Sequence, residues 1–157
     1  MFGILGERVA GAKVLDLFAG TGAMAIEALS RGASDAVLVE SSPRAAEVLK
    51  ANIASVGAEA ACLPMDYRKA LRQLAVRGER FSLVFLDPPY GRGLLGRAAE
   101  DLARAGVLLP GAVVVAEGAA RDPGETVPAG WVPATERRYG DTRVTFYEVS
   151  SGPESPA

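Results

Sequence analysis

The residues of this chain best suited to chemistry fall in two short stretches, Asp87-Pro88-Pro89-Tyr90 and Asp16-Leu17-Phe18-Ala19-Gly20-Thr21-Gly22. In the first, neither prolyl nitrogen carries a proton and both rings fix φ, so the segment is stiff and leaves the Pro88 carbonyl free as an acceptor beside the Asp87 carboxylate. Two fixed acceptors match the two protons of an exocyclic amino group, and Tyr90 offers a flat face on which a base can stack. An aryl amine is a weak nucleophile because its lone pair is delocalised into the ring. Acceptors on both N–H bonds favour pyramidalisation and return that pair to nitrogen, so positioning and electrostatics can carry a group transfer to it without any histidine. An isolated Asp-Pro-Pro-Tyr is equally well a rigid turn; its place at the end of a buried strand, after a glycine loop, favours the chemical reading.

That loop runs straight into a helix, whose first N–H groups lack partners and can face a ligand. Two cofactors compete for it, because Gly20-Thr21-Gly22-Ala23-Met24-Ala25 also satisfies the dinucleotide pattern G-x-G-x-x-A. Asp16 tilts the choice: a carboxylate in the loop repels a pyrophosphate and attracts a sulfonium with an α-ammonium group. S-adenosylmethionine therefore fits better than NAD. Glu40, at the end of the next strand, can accept hydrogen bonds from both hydroxyls of a ribose. The plain alternatives are that Asp16 caps a turn and that Glu40 is a solvated strand end.

The elements that must hold these residues alternate. Lys13–Leu17, Ala36–Glu40, Ala58–Leu63, Phe81–Leu86 and Ala112–Glu117 read as strands. Helices are predicted over Gly22–Arg31, Pro43–Val56, Tyr67–Val76 and Leu94–Ala105. The second has Val48, Leu49, Ile53 and Val56 as its apolar stripe, and the third turns Leu71, Leu74 and Val76 inward. After Glu117 the pattern becomes a hairpin, Trp131–Arg138 and Arg143–Val149, joined through Tyr139-Gly140-Asp141-Thr142. The expected fold is α/β, a doubly wound and mostly parallel seven-stranded Rossmann-like sheet of the methyltransferase type, with an antiparallel hairpin at one edge. One domain spans residues 1–149, and a Ser/Pro/Gly-rich tail at 150–157 is expected to be mobile.

Composition narrows the chemistry further. The 157 residues carry a net charge of -2, which lacks the overall basic excess of a nonspecific nucleic-acid coat, so any such contact must be local. With no histidine and one cysteine, Cys62, there is no Ser-His or Cys-His pair, no His-ligated metal and no internal disulfide. Neither a signal peptide nor a membrane-length apolar run is visible, which places the protein in the cytoplasm, away from membranes.

Val14 to Gly22, Ile26-Glu27-Ala28-Leu29-Ser30-Arg31-Gly32-Ala33, Glu40, Asp87-Pro88-Pro89-Tyr90 and Tyr139-Gly140-Asp141-Thr142 together resemble the RsmD family, bacterial methyltransferases acting on N2 of a guanine in 16S ribosomal RNA. The resemblance runs from Phe2 to Val149. It implies that Asp16, Gly20 and Gly22 line the methionine part of S-adenosylmethionine, with Phe18, Ala19 and Thr21 also in the cofactor site and S-adenosylhomocysteine as product. It also implies that Glu40 binds the ribose and that Asp66 with Tyr67 meets the adenine edge. An N-cap on the helix from Tyr67 is the plain reading of Asp66. Asp87, Pro88, Pro89 and Tyr90 become the target-base site. Glu27 either supports the loop or pairs with Arg31.

The family's basic N-terminal segment, with its Arg-Pro-Thr motif, has no counterpart ahead of Met1. The remaining phosphate-contact candidates are Arg92 and Arg97 after the Asp-Pro-Pro-Tyr loop, and Arg137, Arg138 and Arg143 on the hairpin. The implied partner is 16S ribosomal RNA within a small-subunit assembly particle, met by a monomer without a metal. An N6-adenine methyltransferase, a NAD-dependent oxidoreductase and a cofactor-binding module without catalysis remain as alternatives.

Overall fold

A computed structural model describes residues 1–57, 60–89, 93–120 and 126–150. Its strands are β1 (Lys13–Asp16), β2 (Asp35–Val39), β3 (Ala60–Leu63), β4 (Phe81–Leu86), β5 (Leu108–Ala119), β6 (Trp131–Tyr139) and β7 (Thr142–Val149). They form one sheet in the order β3-β2-β1-β4-β5-β7-β6. The first five are parallel, while β7 runs antiparallel to both β5 and β6, so the C-terminal hairpin closes one edge as its turn residues predict. The turn is the residue pair Gly140-Asp141.

Helices α2 (Ala23–Ser30) and α3 (Pro43–Val56) lie on one face, and α4 (Tyr67–Val76) and α5 (Leu94–Ala105) on the other. Alternate strand residues feed the two cores. Val14, Leu83, Phe85, Val113 and Val115 join Ala25, Ala28 and Leu49, whereas Leu15, Val84, Leu86 and Val114 join Leu71, Leu74 and Leu102. This is the doubly wound arrangement. From β1 the chain moves outward to β2 and β3, then returns to place β4 on β1's other side. Strand order thus reverses between β1 and β4, and in such sheets the ligand crevice opens beyond the carboxyl ends at that point.

Several expectations need correction. Val76 does not turn inward: at the last position of α4 it is 88% exposed, while Leu71 and Leu74 carry the burial. Val48 and Val56 are likewise exposed, so the apolar stripe of α3 narrows to Ala46, Leu49 and the partly buried Ile53. β5 extends past the expected run at both ends, because Leu108 pairs with Phe81 of β4 at its start and β7 pairs through Ala119 at its end. The N-terminus, which suggested no element, forms α1 (Phe2–Leu5) and a 3₁₀ turn (Gly6–Arg8) that bury Leu5 and Val9 in the α2/α3-side core. Of the expected tail, Ser150 donates to the Gly130 carbonyl, and 151–157 lie outside the described residues.

Candidate active site

Between β1 and α2, Gly20 and Gly22 have φ of 56° and 87°, a left-handed conformation that only glycine adopts without strain. Gly22 also lacks room for a side chain, since a Cβ there would sit 2.5 Å from Leu49 Cδ1. The loop is held from two sides. Glu40 accepts from the Gly20 amide at 2.8 Å and from the Ser42 amide at 3.0 Å, and Asn52 of α3 donates to the Thr21 carbonyl at 2.9 Å. Glu40 is therefore a fixed, half-buried carboxylate, and each oxygen keeps a lone pair for a further donor such as a ribose hydroxyl.

Asp16 is 3% exposed. Burial pushes its carboxyl up to about 7, and the charges of Asp87 and Glu40 push the same way against one long hydrogen bond, 3.4 Å, from the Phe18 amide. A buried carboxyl with so little compensation suits a cation brought by a ligand.

Strand parity then explains a third acid. Val14, Phe85 and Val115 sit on the α2/α3 face, and so do the residues two positions on, Asp16, Asp87 and Glu117. Leu86 pairs with Ala116, so continuing the register by one residue brings Asp87 beside Glu117. The two carboxyl groups line one cavity side by side; burial first, then the neighbouring Asp87 carboxyl and the charge of Asp16, push the Glu117 pKa up to about 8. One cavity is lined by Met1, Asp16, Phe18, Phe85, Asp87 and Glu117. The sequence reading passed over Glu117, whose visible signal is only that it ends the run Ala-Val-Val-Val-Ala-Glu. It passed over Asn52 as a loop support as well, although that residue is one of only two side-chain amides in the chain.

A second, wider cleft of about 790 Å3 joins the two sequence stretches. It is lined by Phe18, Gly20 and Glu40, by Asp66 and Tyr67 at the start of α4, and by Asp87, Pro88 and Pro89, with Arg97 at its edge. Its size suits a nucleoside cofactor with room for a base. Asp66 is the N-cap of α4, accepting from the Arg68 amide at 3.0 Å through one oxygen while also lining the cleft. The Tyr67 hydroxyl is committed elsewhere: it donates to Asp101 at 2.6 Å, and burial together with that carboxylate pushes it up to about 12. Its ring leans on Phe18, centroids 5.1 Å apart, so Tyr67 acts as a wall.

Other expected site residues separate. Tyr90 and Arg92 lie outside the described residues. Glu27 pairs with Arg31 at 2.6 Å, one turn along α2, in an exposed ion pair. Arg137, Arg138 and Arg143 flank the hairpin turn, and β7's start is paired with the carboxyl end of β5, so all three stand at the end of the sheet that opens on the crevice. Arg137 and Arg138 are exposed; Arg143 is largely covered, donates to the Ala120 carbonyl at 2.8 Å and approaches Glu136. No helix among the described residues is long and apolar enough to cross a membrane.

The family model described as Conserved hypothetical protein 95 matches residues 1–148. Ribosomal RNA small subunit methyltransferase D of Escherichia coli K12 is 34% identical over 157 residues, which cover 100% of this chain and 78% of that relative. A structure described as a conserved hypothetical protein from Streptococcus pyogenes superposes with a TM-score of 0.84 at 38% identity, covering 94% of this chain and 91% of that one. A candidate S-adenosylmethionine-dependent methyltransferase from Streptococcus mutans reaches a TM-score of 0.77 over 94% of this chain and 48% of its own; at 14% identity the likeness is one of fold.

Proposed function

This chain belongs to the RsmD family, and we propose that it transfers a methyl group from S-adenosylmethionine to the exocyclic N2 amine of a guanine in 16S ribosomal RNA. The observation that carries the reading is the single cleft in which Gly20, Glu40 and Asp66 on one side face Asp87, Pro88 and Pro89 on the other. The residues fit the cofactor: Asp16 is a buried carboxyl in want of a cation, Glu40 is fixed with lone pairs to spare for a ribose, and the Asp66 carboxylate keeps an oxygen for an amino group. When bound, S-adenosylmethionine supplies a methyl carbon that bonds to the amine nitrogen as its bond to sulfur breaks, the electron pair staying on sulfur.

The chain's own residues do the rest by placement. Asp87 and the Pro88 carbonyl accept the two amine protons and keep the nitrogen lone pair localised; Asp87 takes the proton that departs once nitrogen is methylated. Tyr90 stacks on the base. Arg92, Arg97 and the exposed hairpin residues Arg137 and Arg138 meet phosphates, and the protein acts as a monomer on a small-subunit assembly particle.

Labelled S-adenosylmethionine, incubated with naked 16S RNA and with small-subunit particles and followed by nucleoside analysis, tests this. N2-methylguanosine is expected. Asp87→Ala should lower turnover at least ~100-fold while affinity for S-adenosylhomocysteine stays within about threefold. N6-methyladenosine as the product would move the target to adenine, and binding of NAD in place of S-adenosylhomocysteine would remove the cofactor assignment.

A further inference from the structure

Three carboxyl groups, from β1, from the loop after β4 and from β5, meet on one face of the sheet at its carboxyl end, and the reaction as read so far uses two of them. We infer that Glu117 is a positioning residue for the transfer: its carboxyl group donates a hydrogen bond to Asp87 from the neighbouring strand and holds the Asp87 carboxylate on the target amine. This rests on the reading of Asp87 as the amine's acceptor.

The geometry comes from the backbone. β4 and β5 pair in register through Leu86 and Ala116, so the next residue of each strand lies side by side on the same face. Asp87 is exposed at the cleft, beyond the end of β4, whereas Glu117 belongs to a strand paired to β7 on its other side, Glu117 being level with Val144. A stiff strand thus anchors a side chain at the end of a loop. Two adjacent carboxyl groups bond only if one holds a proton, and burial assigns that proton to Glu117, because the charged form is penalised there while Asp87 faces solvent.

The arrangement suits the chemistry. A neutral donor does not compete for the protons of the amine, and it removes the freedom of the Asp87 side chain to swing into solvent. When the methylated nitrogen gives up one proton to Asp87, the pair holds two protons, and one leaves to solvent from the exposed Asp87 side. The titratable groups facing Glu117 are Asp87 and Asp16; Met1, the residue before α1, lines the same cavity, and from β7 Arg143 turns to the Ala120 carbonyl.

Two variants and the wild type, assayed on small-subunit particles, decide it. Glu117→Leu removes the donor and should lower kcat about 10- to 100-fold, with KM for RNA and calorimetric affinity for S-adenosylhomocysteine within about twofold. Glu117→Gln keeps an N–H donor to Asp87 and should restore kcat to within about fivefold. The wild-type rate should fall as pH rises through about 8, where Glu117 loses its proton, and this limb should be absent in Glu117→Gln. A carbon-13 resonance of the Glu117 carboxyl titrating near that pH gives the readout independent of turnover. Undiminished kcat in Glu117→Leu, an alkaline limb that persists in Glu117→Gln, or a carboxyl that titrates below 5 overturns the inference while leaving the proposed reaction standing. A wild-type chain that methylates no ribosomal RNA in any form overturns both.

Discussion

Asp16 illustrates what a ligand site costs the empty fold. Its carboxyl is raised from 3.8 to about 7, so the folded chain holds this proton more tightly than the unfolded chain. The group's contribution to stability is therefore complete below pH ~4 and is lost as pH rises to 7. Asp16→Asn keeps the acceptor for the Phe18 amide and has nothing to ionise. Its stability should match the wild type near pH 4 and exceed it at pH 8 by roughly 4 kcal/mol, read as a melting temperature higher by ~8–16 °C. A variant that is less stable at pH 8 would contradict the burial cause. The same residue should reverse sign on ligand binding, because a sulfonium favours the carboxylate. Affinity for S-adenosylmethionine should increase between pH 6 and 8 with release of a proton, and heats of binding at pH 6.5 should differ between phosphate and Tris buffers; identical heats would show that Asp16 does not sense the cofactor's charge. Most of these residues were legible because each is placed by local chain order: Asp16 and Glu40 end strands, and Asp87 precedes two prolines. Glu117 was not. Its strand is visible, but the partner that gives it a role is thirty residues away, and the β4–β5 register that joins them is written in no local pattern.

At the scale of elements, the glycine loop is a joint between β1, β2, α2 and α3 more than a flexible turn. Gly20 and Gly22 both require positive φ, yet only Gly22 is hemmed in, by Leu49 and Leu38. Gly22→Ala should therefore cost about 2–4 kcal/mol, combining left-handed strain with displacement of Leu49, whereas Gly20→Ala should cost only ~1 kcal/mol. Denaturant unfolding of the two variants compares them directly, and equal losses would mean the packing against α3 does not matter. Asn52→Ala, which frees the Thr21 carbonyl from α3, should leave the fold intact and weaken cofactor affinity about 3- to 10-fold by calorimetry. The helices and strands were readable where burial imposes a period. They misled where a helix end carries an apolar residue into solvent, as at Val76 and Val56, and where an element is too short to show a period, as α1 is. The four residues of α1 matter out of proportion to their number. Phe2 packs on Phe85, centroids 6.0 Å apart, with Arg31 over its ring, and Met1 reaches the cavity of Asp16, Asp87 and Glu117.

For the whole molecule, a net charge of -2 and the proposed RNA substrate are reconciled by where the cations stand. The carboxyl groups gather at the bottom of the crevice, under Asp16, Asp87 and Glu117. Exposed arginines rise at its rims, Arg97 on α5 and Arg137 with Arg138 beside the hairpin turn. The hairpin turn stands at the β7–β6 edge of the sheet and Arg97 at the cleft, so a strand of RNA laid across the carboxyl end of the sheet would meet both. Each phosphate contact contributes counterion release whatever the base, so neutralising the rim should change affinity without touching the chemistry. The double variant Arg137→Ala with Arg138→Ala should raise KM for ribosomal RNA about 3- to 10-fold and flatten the dependence of log KM on log salt by roughly one to two units. Its kcat and its affinity for S-adenosylhomocysteine should stay those of the wild type. Arg143 is the internal contrast, since its guanidinium braces Ala120 and Glu136; Arg143→Ala should lower stability by about 1 kcal/mol and shift the salt slope less than the pair does. If the salt slope is the same in the double variant as in the wild type, the RNA does not cross the hairpin, and the phosphates must be held on the α5 side alone.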